Sequence, residues 1–276
     1  MAAPAVNGVR ALLLAAGSGS RLRPLTDEWP KPLMPIGGRP LMEYWLEAFQ
    51  SAGVRDVLVN VHHHAEQMMK FLERPQYRAW VSAVFEASPL GTAGTLVANL
   101  EFFVGQTTLL VHADNWSQCD LGAFLAFHHN QRPASCPVTM MTFDTSIPES
   151  CGIVETDPAG VVIGFHEKVV DPPGNRANGA VYLLEPELLE WLVNQPTTSD
   201  FSTEVLPNLL GRIATWHNSE IHRDIGTPEM LALAQQDWNP DQVGGGSETD
   251  DWGEWFRDHP VHRLIDELTT DFQDSR

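Results

Sequence analysis

Residues 11–38 read ALLLAAGSGSRLRPLTDEWPKPLMPIGG, a stretch that passes from an apolar run through glycine and serine to three cations. The apolar run predicts a buried strand, and the small residues after it predict a loop whose backbone N–H groups can approach a ligand closely. Lys31 lies between two prolines, which restrict the backbone on both sides of it. Because backbone N–H groups and cations both bind phosphate, we expect this segment to bind a triphosphate.

The loop differs from the two common phosphate-binding motifs. No Lys-Ser or Lys-Thr pair follows the glycines directly, as a Walker A loop requires, and Leu22 stands where the dinucleotide fingerprint has its third glycine. A glycine-rich loop after a strand is also a common structural turn, so the loop alone favours nucleotide binding only weakly. Arg21 and Lys31 at this spacing strengthen the nucleotide interpretation.

The composition argues against two classes of partner. The 276 residues include 36 acidic and 17 basic residues, with a formal net charge of −19, and such a chain is repelled by nucleic acid and by anionic membrane surfaces. No apolar run reaches the roughly 20 residues that span a bilayer. The start, MAAPAVNGVR, lacks the charged and apolar regions of a signal peptide, and the three cysteines form no C-x-x-C pair. We therefore expect a cytoplasmic protein with neither nucleic-acid nor membrane partners.

Strand-like runs alternate with helix-like stretches as far as about residue 150. This order is typical of an α/β fold, here a Rossmann-like, mostly parallel sheet with helices on both faces. The later segments GIVETDPAGVVIGFHEK and NGAVYLL predict a small strand-rich subregion beside that sheet.

Composition divides the chain into three parts. We expect one large domain over 8–238, an acidic glycine-rich linker over 239–251 and a C-terminal helical tail over 252–276. Three apolar residues of the tail are predicted to share one helical stripe: Leu264, Leu268 and Phe272. The tail either packs on its own domain, covers a neighbouring copy in a homo-oligomer, or docks another partner through its two tryptophans, and the sequence leaves the oligomeric state open.

The stretch AAGSGSRLRPLTDEWPKPLMPIGGRPLMEY resembles the signature of the sugar-1-phosphate nucleotidyltransferases, the nucleotide-sugar pyrophosphorylases. Their pattern is close to G-x-G-[ST]-R-L-x-P-L-T, followed by P-K-P. Further segments that resemble the family follow in order up to about residue 235. The resemblance implies an enzyme that joins a nucleoside triphosphate and a sugar-1-phosphate into an NDP-sugar and releases pyrophosphate.

The resemblance implies two sets of nucleotide-binding residues. The small residues of the opening loop form the first set: Ala15, Ala16, Gly17, Ser18, Gly19 and Ser20. The second set comes from EASPLGTAGTL, which resembles the loop around the nucleobase and ribose: Pro89, Gly91, Thr92 and Gly94. Arg21 is expected to hold the β- and γ-phosphates, and Lys31 is expected near the α-phosphate.

The resemblance also implies a magnesium site and a sugar site. LLVHADN resembles the strand that ends in a metal-binding aspartate, here Asp114, and RDIGTPE resembles the turn whose aspartate, here Asp224, completes the Mg²⁺ site. Together with Arg21 and Lys31, these aspartates form the expected catalytic set. Six residues are expected to contact the sugar phosphate: Asn115, Gly152, Glu167, Lys168, Asn178 and Gly179.

Several of these residues have a structural alternative. Asp114 could cap the turn after its strand, Asp224 could belong to a purely structural turn, and Glu167 with Lys168 could form an exposed pair at a strand end. The histidines at 62–64 suggest a metal site at first sight. Because adjacent strand residues alternate faces, three of them cannot bind one ion, and we expect a solvated strand end instead.

The form PLGTAG resembles that of guanylyltransferases for mannose-1-phosphate and heptose-1-phosphate. This favours GTP and a sugar phosphate of the mannose or heptose type. A uridylyltransferase for an amino-sugar or muramate phosphate is the first alternative. A non-catalytic homologue that binds nucleotide sugars in a regulatory role is the alternative from another class.

Overall fold

The computed structural model describes residues 8–195, 198–239 and 250–274, with side chains described as far as residue 270. Residues 240–249, most of the predicted linker, lie outside the described residues. The strands are β1 (Val9–Leu14), β2 (Pro35–Ile36), β3 (Arg39–Pro40), β4 (Val57–Val61), β5 (Val81–Phe85), β6 (Thr107–His112), β7 (Asn115–Ser117), β8 (Val138–Asp144), β9 (Gly152–Thr156), β10 (Val162–Glu167), β11 (Arg176–Leu184), β12 (Ile213–His217) and β13 (His222–Asp224).

Helices cover the sheet and form the C-terminal tail. They are α1 (Leu25–Glu28), α2 (Leu41–Ser51), α3 (Ala65–Leu72), α4 (Thr92–Ala98), α5 (Leu100–Phe103), α6 (Leu121–Asn130), α7 (Pro186–Val193), α8 (Pro228–Asp237), α9 (Asp251–Arg257) and α10 (Pro260–Asp274). Short 3₁₀ turns occur at Ser20–Leu22, Lys31–Leu33, Pro148–Ser150 and Leu206–Leu209, and a π-helical turn occurs at Phe201–Val205.

The central sheet has nine strands among the described residues, with the main order β10-β9-β11-β6-β1-β4-β5 and with β8 linking β11 to β12. Strands β6, β1, β4 and β5 run parallel to one another. The expected Rossmann-like α/β fold, with its mostly parallel central sheet, is confirmed. The sheet is nevertheless mixed, because β11 runs antiparallel beside β6, β8 and β9 and joins the parallel half to the strand-rich part.

Both faces of the sheet are buried. Ala11 and Leu13 of β1 belong to one apolar cluster and Leu12 to another, and all three side chains are fully buried. Since successive side chains of a strand point to opposite faces, helices must cover both of them. Strands buried on both faces consist of continuous apolar runs, and this is why β1 can be recognised from its sequence.

Two smaller antiparallel pairs complete the strand-rich part. Strands β9 and β10 form the predicted hairpin, with Gly160 at a φ of 77° in its turn. Strands β7 and β13 form a separate two-stranded ribbon in which Asp224 pairs with Asn115. This ribbon joins the segment after β6 to a segment more than a hundred residues later in the sequence.

The tail folds as two helices and packs on its own domain. Val261 and Ile265 are buried within the same apolar cluster as β1, and Leu268 packs partly against that cluster. Leu264 is 43% exposed, so the predicted stripe is wrong at this position. The stripe runs instead through Val261, Ile265 and Leu268, which have the helical spacing of one face. The side chain of Phe272, the third predicted member, lies outside the described residues.

Candidate active site

A cavity of about 510 Å³ lies at the edge of the sheet where the parallel strands end. The segments after β1, β4, β5 and β6 all contribute to its wall. The carboxyl ends of neighbouring parallel strands meet at one edge, which is where open α/β sheets bind their ligands. The predicted residues that line the cavity are Ala15, Ala16, Gly17, Ser18, Gly19, Ser20, Arg21, Lys31, Pro89, Gly91, Thr92 and Asp114.

The opening loop presents backbone N–H groups to this cavity. The Ala15 N–H donates to Asn60 Oδ1 at 2.7 Å. In the described part of the chain, the N–H groups of residues 16–19 have no hydrogen-bond partner. Gly19 has a φ of +61°, and a Cβ there would lie 2.9 Å from Thr26 Cγ2. Glycine therefore allows the loop, which lines the cavity, to turn tightly against Thr26.

The catalytic set predicted from the sequence comes together in space. Lys31 Nζ lies 2.8 Å from Asp114 Oδ2 and 2.7 Å from Asp224 Oδ1. Arg21 Nη2 lies 3.2 Å from Asp224 Oδ2. The β7–β13 ribbon produces this arrangement, since the Ile225 N–H also donates to the Asp114 carbonyl oxygen at 3.2 Å.

Charges in this cluster compensate each other. The Lys31 side chain is only 6% exposed; burial lowers its pKa, but the carboxylates of Asp114 and Asp224 raise it by more, so the pKa lies above its usual value. Burial raises the pKa of Asp114, and the Lys31 ammonium outweighs that effect, so the carboxyl pKa lies below its usual range. Both groups are therefore charged at neutral pH.

The paired aspartates fit a magnesium ion. Mg²⁺ is commonly held by one or two carboxylates together with waters and substrate phosphates, rather than by a complete protein cage. Asp114 lines the cavity and Asp224 lies across Lys31 from it, so together they supply two carboxylates, whereas the described residues contain no cluster of three or more His, Cys, Asp or Glu side chains suited to a metal. This donor set suits a hard ion that shares its coordination with substrate.

Gly94 and Gly91 behave differently in the second nucleotide-binding set. Gly91 lines the cavity with a φ of +79°, and a Cβ there would lie 2.4 Å from the Ser199 carbonyl oxygen. The Gly94 N–H donates to that same oxygen at 3.2 Å, and Gly94 is absent from the cavity wall. Gly94 therefore packs α4 against the segment at Ser199, and its predicted contact with nucleotide stays a prediction.

The predicted sugar residues lie outside this cavity wall. Lys168 Nζ lies 3.2 Å from Glu167 Oε1, and the Lys168 side chain is 65% exposed. A Cβ on Gly152 would lie 2.6 Å from Glu167 Oε2, so glycine leaves room for that carboxylate. Asn115 is buried in β7, where its carbonyl oxygen accepts a 2.8 Å hydrogen bond from Trp45 Nε1.

A bulge in β11 carries the other two predicted sugar residues. The pairing of β11 with β8 shifts between Asn178 and Tyr182, and Ala180 has a φ of 52°. Asn178 Nδ2 donates to the Tyr182 hydroxyl at 2.6 Å, so its amide is engaged within the protein. A Cβ on Gly179 would lie 2.8 Å from Met141 Cε, which shows how closely this backbone is packed.

A buried polar network behind the cavity was missed by sequence reasoning. Glu86 Oε1 accepts hydrogen bonds from Asn60 Nδ2 at 3.0 Å and from Thr95 Oγ1 at 2.5 Å, and Oε2 accepts from the Leu90 N–H at 3.1 Å. Asn60, Glu86 and Thr95 all line the cavity. Two features of the sequence could have indicated this network: Asn60 is a polar residue within the apolar strand DVLVNV, and Glu86 directly precedes ASPLGTAG.

Gly226 was also missed, although it follows Asp224 in the quoted turn. A Cβ at this position would lie 2.7 Å from Arg21 Nη2 and 2.8 Å from Asp224 Oδ2. Glycine therefore permits the contact between the arginine and the carboxylate. The identity of residue 226 had no local signal, because its neighbour Arg21 is about two hundred residues away in sequence.

The expectation of a solvated strand end at the three histidines is wrong. His62 Nδ1 lies 2.8 Å from the Glu86 carbonyl oxygen, and Nε2 of His63 and of His64 lie 3.1 Å and 3.0 Å from the Thr26 carbonyl oxygen. All three side chains are half-buried. In a strand, two successive side chains would point to opposite faces and could not reach the same carbonyl oxygen. Here the chain leaves the strand after β4, where His64 has a φ of 53°, and both rings reach the Thr26 carbonyl oxygen.

Comparison with known proteins agrees with this geometry. The sequence profile of the family described as "Nucleotidyl transferase" matches residues 10–239. The chain is 30% identical over 238 residues to a mannose-1-phosphate guanylyltransferase of Mycobacterium tuberculosis, covering 84% of this chain and 65% of that protein. It is 30% identical over 198 residues to a UTP–glucose-1-phosphate uridylyltransferase of Synechocystis, covering 67% of this chain and 51% of that protein.

A solved structure supports the same fold. The structure of a putative glucose-1-phosphate thymidylyltransferase from Bacillus anthracis matches with a TM-score of 0.76 and 19% identity, over 87% of this chain and 98% of that one. The chain spans two thirds or less of the two curated relatives described above. No helix in the described residues is long and apolar enough to cross a membrane.

The profile match and the shared motifs place this chain in the family of sugar-1-phosphate nucleotidyltransferases.

Proposed function

We propose that this protein joins a nucleoside triphosphate and a sugar-1-phosphate into an NDP-sugar and pyrophosphate. The observation that carries the proposal is the Lys31 ammonium held between Asp114 and Asp224, beside Arg21, where Lys31, Asp114 and the glycine loop of residues 15–20 line one cavity. A nearly buried ammonium and an exposed guanidinium, both close to the backbone N–H groups of the glycine loop, suit a polyanionic substrate.

The reaction needs no protein nucleophile. An oxygen of the sugar phosphate attacks the α-phosphorus, a new P–O bond forms, and the bond to the bridging oxygen of the β-phosphate breaks, so that pyrophosphate leaves with the electron pair. The attacking phosphate is already anionic near neutral pH, so no general base is required. The barrier comes from bringing two polyanions together, and positioning with charge neutralisation lowers it.

The residues divide this work between them. The N–H groups of residues 16–19 bind phosphate oxygens, Arg21 holds the β- and γ-phosphates, and Lys31 neutralises charge that develops at the α-phosphate. Lys168 orients the incoming sugar phosphate, and its exposed ammonium is accessible to that group. Asp114 and Asp224 would hold Mg²⁺, which neutralises phosphate charge and keeps the triphosphate oriented when it is bound.

GTP is the proposed nucleotide, with a sugar phosphate of the mannose or heptose type. The similarity to the Mycobacterium guanylyltransferase supports this choice. The Glu86 carboxylate on the cavity wall supports it too, because a carboxylate only accepts hydrogen bonds and guanine presents adjacent N1–H and N2–H₂ donors. The similarity to the Synechocystis uridylyltransferase keeps a UTP-dependent enzyme as the second candidate.

Pyrophosphate release tests the proposal. The protein is mixed with Mg²⁺, each common nucleoside triphosphate in turn, and a panel of mannose, glucose, N-acetylglucosamine and heptose 1-phosphates. We expect release with GTP and one sugar phosphate, and loss of release in Asp114→Asn. Release with UTP would overturn the nucleotide choice. Triphosphate binding without release across the panel would instead favour the regulatory, non-catalytic alternative.

A further inference from the structure

Trp29 connects the lysine turn to the rest of the molecule. Its side chain is 2% exposed, and Nε1 donates to the Leu33 carbonyl oxygen at 2.8 Å. Leu33, whose carbonyl oxygen accepts this hydrogen bond, is the last residue of the 3₁₀ turn Lys31–Leu33. The position of the Trp29 indole therefore constrains the turn from which Lys31 reaches the two aspartates.

The tail supplies the other side of the pocket around Trp29, from two residues of α9 and from His259 just after it. The Phe256 ring stacks on Trp29 with centroids 5.6 Å apart, the His259 ring lies at 4.2 Å and the Trp255 ring at 5.7 Å. Phe256 is itself only 3% exposed. Trp29 is thus packed against the tail, although the tail follows it by more than two hundred residues.

The start of α9 is anchored by buried charges. Arg74 Nε lies 2.7 Å from Asp250 Oδ2, and Arg74 Nη1 lies 2.9 Å from Glu43 Oε2. Asp250 Oδ1 also caps the helix by accepting from the Gly253 N–H at 2.7 Å. The Arg74 guanidinium lies 4.8 Å from the centroid of the Trp252 ring. These contacts fix where α9 begins and hence where Phe256 meets Trp29.

We propose that α9 is a positioning element for Lys31: Phe256 holds Trp29, Trp29 holds the turn Lys31–Leu33, and the turn keeps the ammonium between Asp114 and Asp224. Phe256 and Trp29 are positioning residues in this scheme, since they act through Lys31. The effect on turnover rests on the proposed function, whereas the effect on Lys31 itself does not.

Lysine labelling tests the structural part directly, because the chain contains only three lysines, at 31, 70 and 168. The folded full-length protein is treated with an amine-reactive reagent, and the labelling rate at each lysine is measured by mass spectrometry. The Lys31 side chain is 6% exposed, against 62% for Lys70 and 65% for Lys168. We expect Phe256→Ala to raise the Lys31 rate about threefold or more and to leave the other two rates unchanged.

Ile265→Ala is the matched control, because Ile265 is equally buried but lies on α10. We expect it to lower the melting temperature without raising the Lys31 labelling rate. An unchanged Lys31 rate in Phe256→Ala, or an equal rise in Ile265→Ala, would overturn the proposal. Should Phe256→Ala fail to fold, Trp29→Phe keeps an aromatic ring and removes only the indole donor to Leu33, and it should raise the Lys31 rate as well.

Kinetic measurements then test separately whether the position of Lys31 affects turnover. With an active wild type, we expect Phe256→Ala to lower kcat several-fold while the KM for the sugar phosphate stays nearly constant, since Lys31 acts at the α-phosphate. A change in that KM alone would contradict the path through Lys31. If the wild type shows no activity, the proposed function fails, and the labelling experiment still decides whether α9 positions Lys31.

Discussion

The proposed phosphate side and the proposed sugar side of this site are built differently. On the phosphate side, parallel strand ends and the β7–β13 ribbon bring a nearly buried Lys31 between two carboxylates. On the sugar side, Lys168 is 65% exposed and, within the part of the chain that the structure describes, pairs only with its neighbour Glu167. The first arrangement is preorganised, and the second can adapt to a bound ligand. This contrast suits a reaction in which the triphosphate chemistry is constant and the sugar varies.

Replacing Lys31 should have the largest effect. Lys31→Met leaves Asp114 and Asp224 without the cation between them and removes a charge from the α-phosphate site. We expect pyrophosphate release to fall by about 10²–10³-fold, the loss typical when one preorganised donor is removed. Lys70→Met is the matched control, since Lys70 is exposed and its one ion pair among the described residues is with Glu66 on the same helix. Similar losses in both variants would contradict a specific role for Lys31.

Adding a methyl group at Gly226 tests whether the contact between Arg21 and Asp224 matters on the phosphate side. The Cβ of Gly226→Ala would lie 2.7 Å from Arg21 Nη2 and 2.8 Å from Asp224 Oδ2. Because both contacts are with the ends of side chains, the guanidinium and the carboxylate must shift rather than the backbone, and we expect little loss of stability but about tenfold lower kcat/KM for the triphosphate. Gly174→Ala is the control, as a Cβ there has nothing within 4 Å. Wild-type kinetics in Gly226→Ala would show that the Arg21–Asp224 contact is dispensable.

The sugar side should respond through affinity. Lys168→Gln removes an exposed cation, and we expect the KM for the sugar phosphate to rise about tenfold with the KM for the triphosphate unchanged. The measurement is initial rates with each substrate varied in turn. If kcat falls instead and both KM values hold, Lys168 belongs functionally with the phosphate side and the contrast between the two sides breaks down.

The smallest expected effect is on the pH dependence of folding stability, through His222, which lies next to Gly179. Burial lowers the pKa of His222 from 6.5 to about 4, so the unfolded chain binds a proton at a pH where the folded chain does not. The stability contributed by neutral His222 is therefore complete above about pH 6.5 and is lost as the pH falls toward 4. We expect the free energy of unfolding to fall by about 2 kcal/mol less between pH 7 and pH 5 in His222→Gln than in the wild type.

Urea denaturation at several pH values measures this difference. Equal pH dependence in His222→Gln and the wild type would mean that the ring titrates alike in both states. Within the fold, Nδ1 of His222 lies 3.0 Å from the Ser117 hydroxyl, and the ring lies 4.7 Å from that of Phe143. These contacts hold the half-buried ring next to Gly179.

Sequence reasoning worked where a signal was local. The run around β1, the glycine loop and the prolines on both sides of Lys31 lie within one short segment, and their order reflects the strand and loop they form. The hairpin around Gly160 was likewise readable from its turn. Errors arose where distant segments meet. The histidines at 62–64 contact carbonyls from two other segments, and Leu264 faces solvent because the domain covers the opposite side of α10.

The sequence by itself determined the α/β class, the phosphate loop and the identity of the charged residues, because strand, loop and motif are encoded by neighbouring residues. Only the tertiary structure decided which charges touch. Arg21, Lys31, Asp114 and Asp224 meet through strand register and the β7–β13 ribbon, across as many as 203 residues of sequence separation. The contact between Trp29 and α9 likewise depends on where the tail packs, and no local pattern encodes that position because burial of an aromatic ring depends on the surfaces that enclose it.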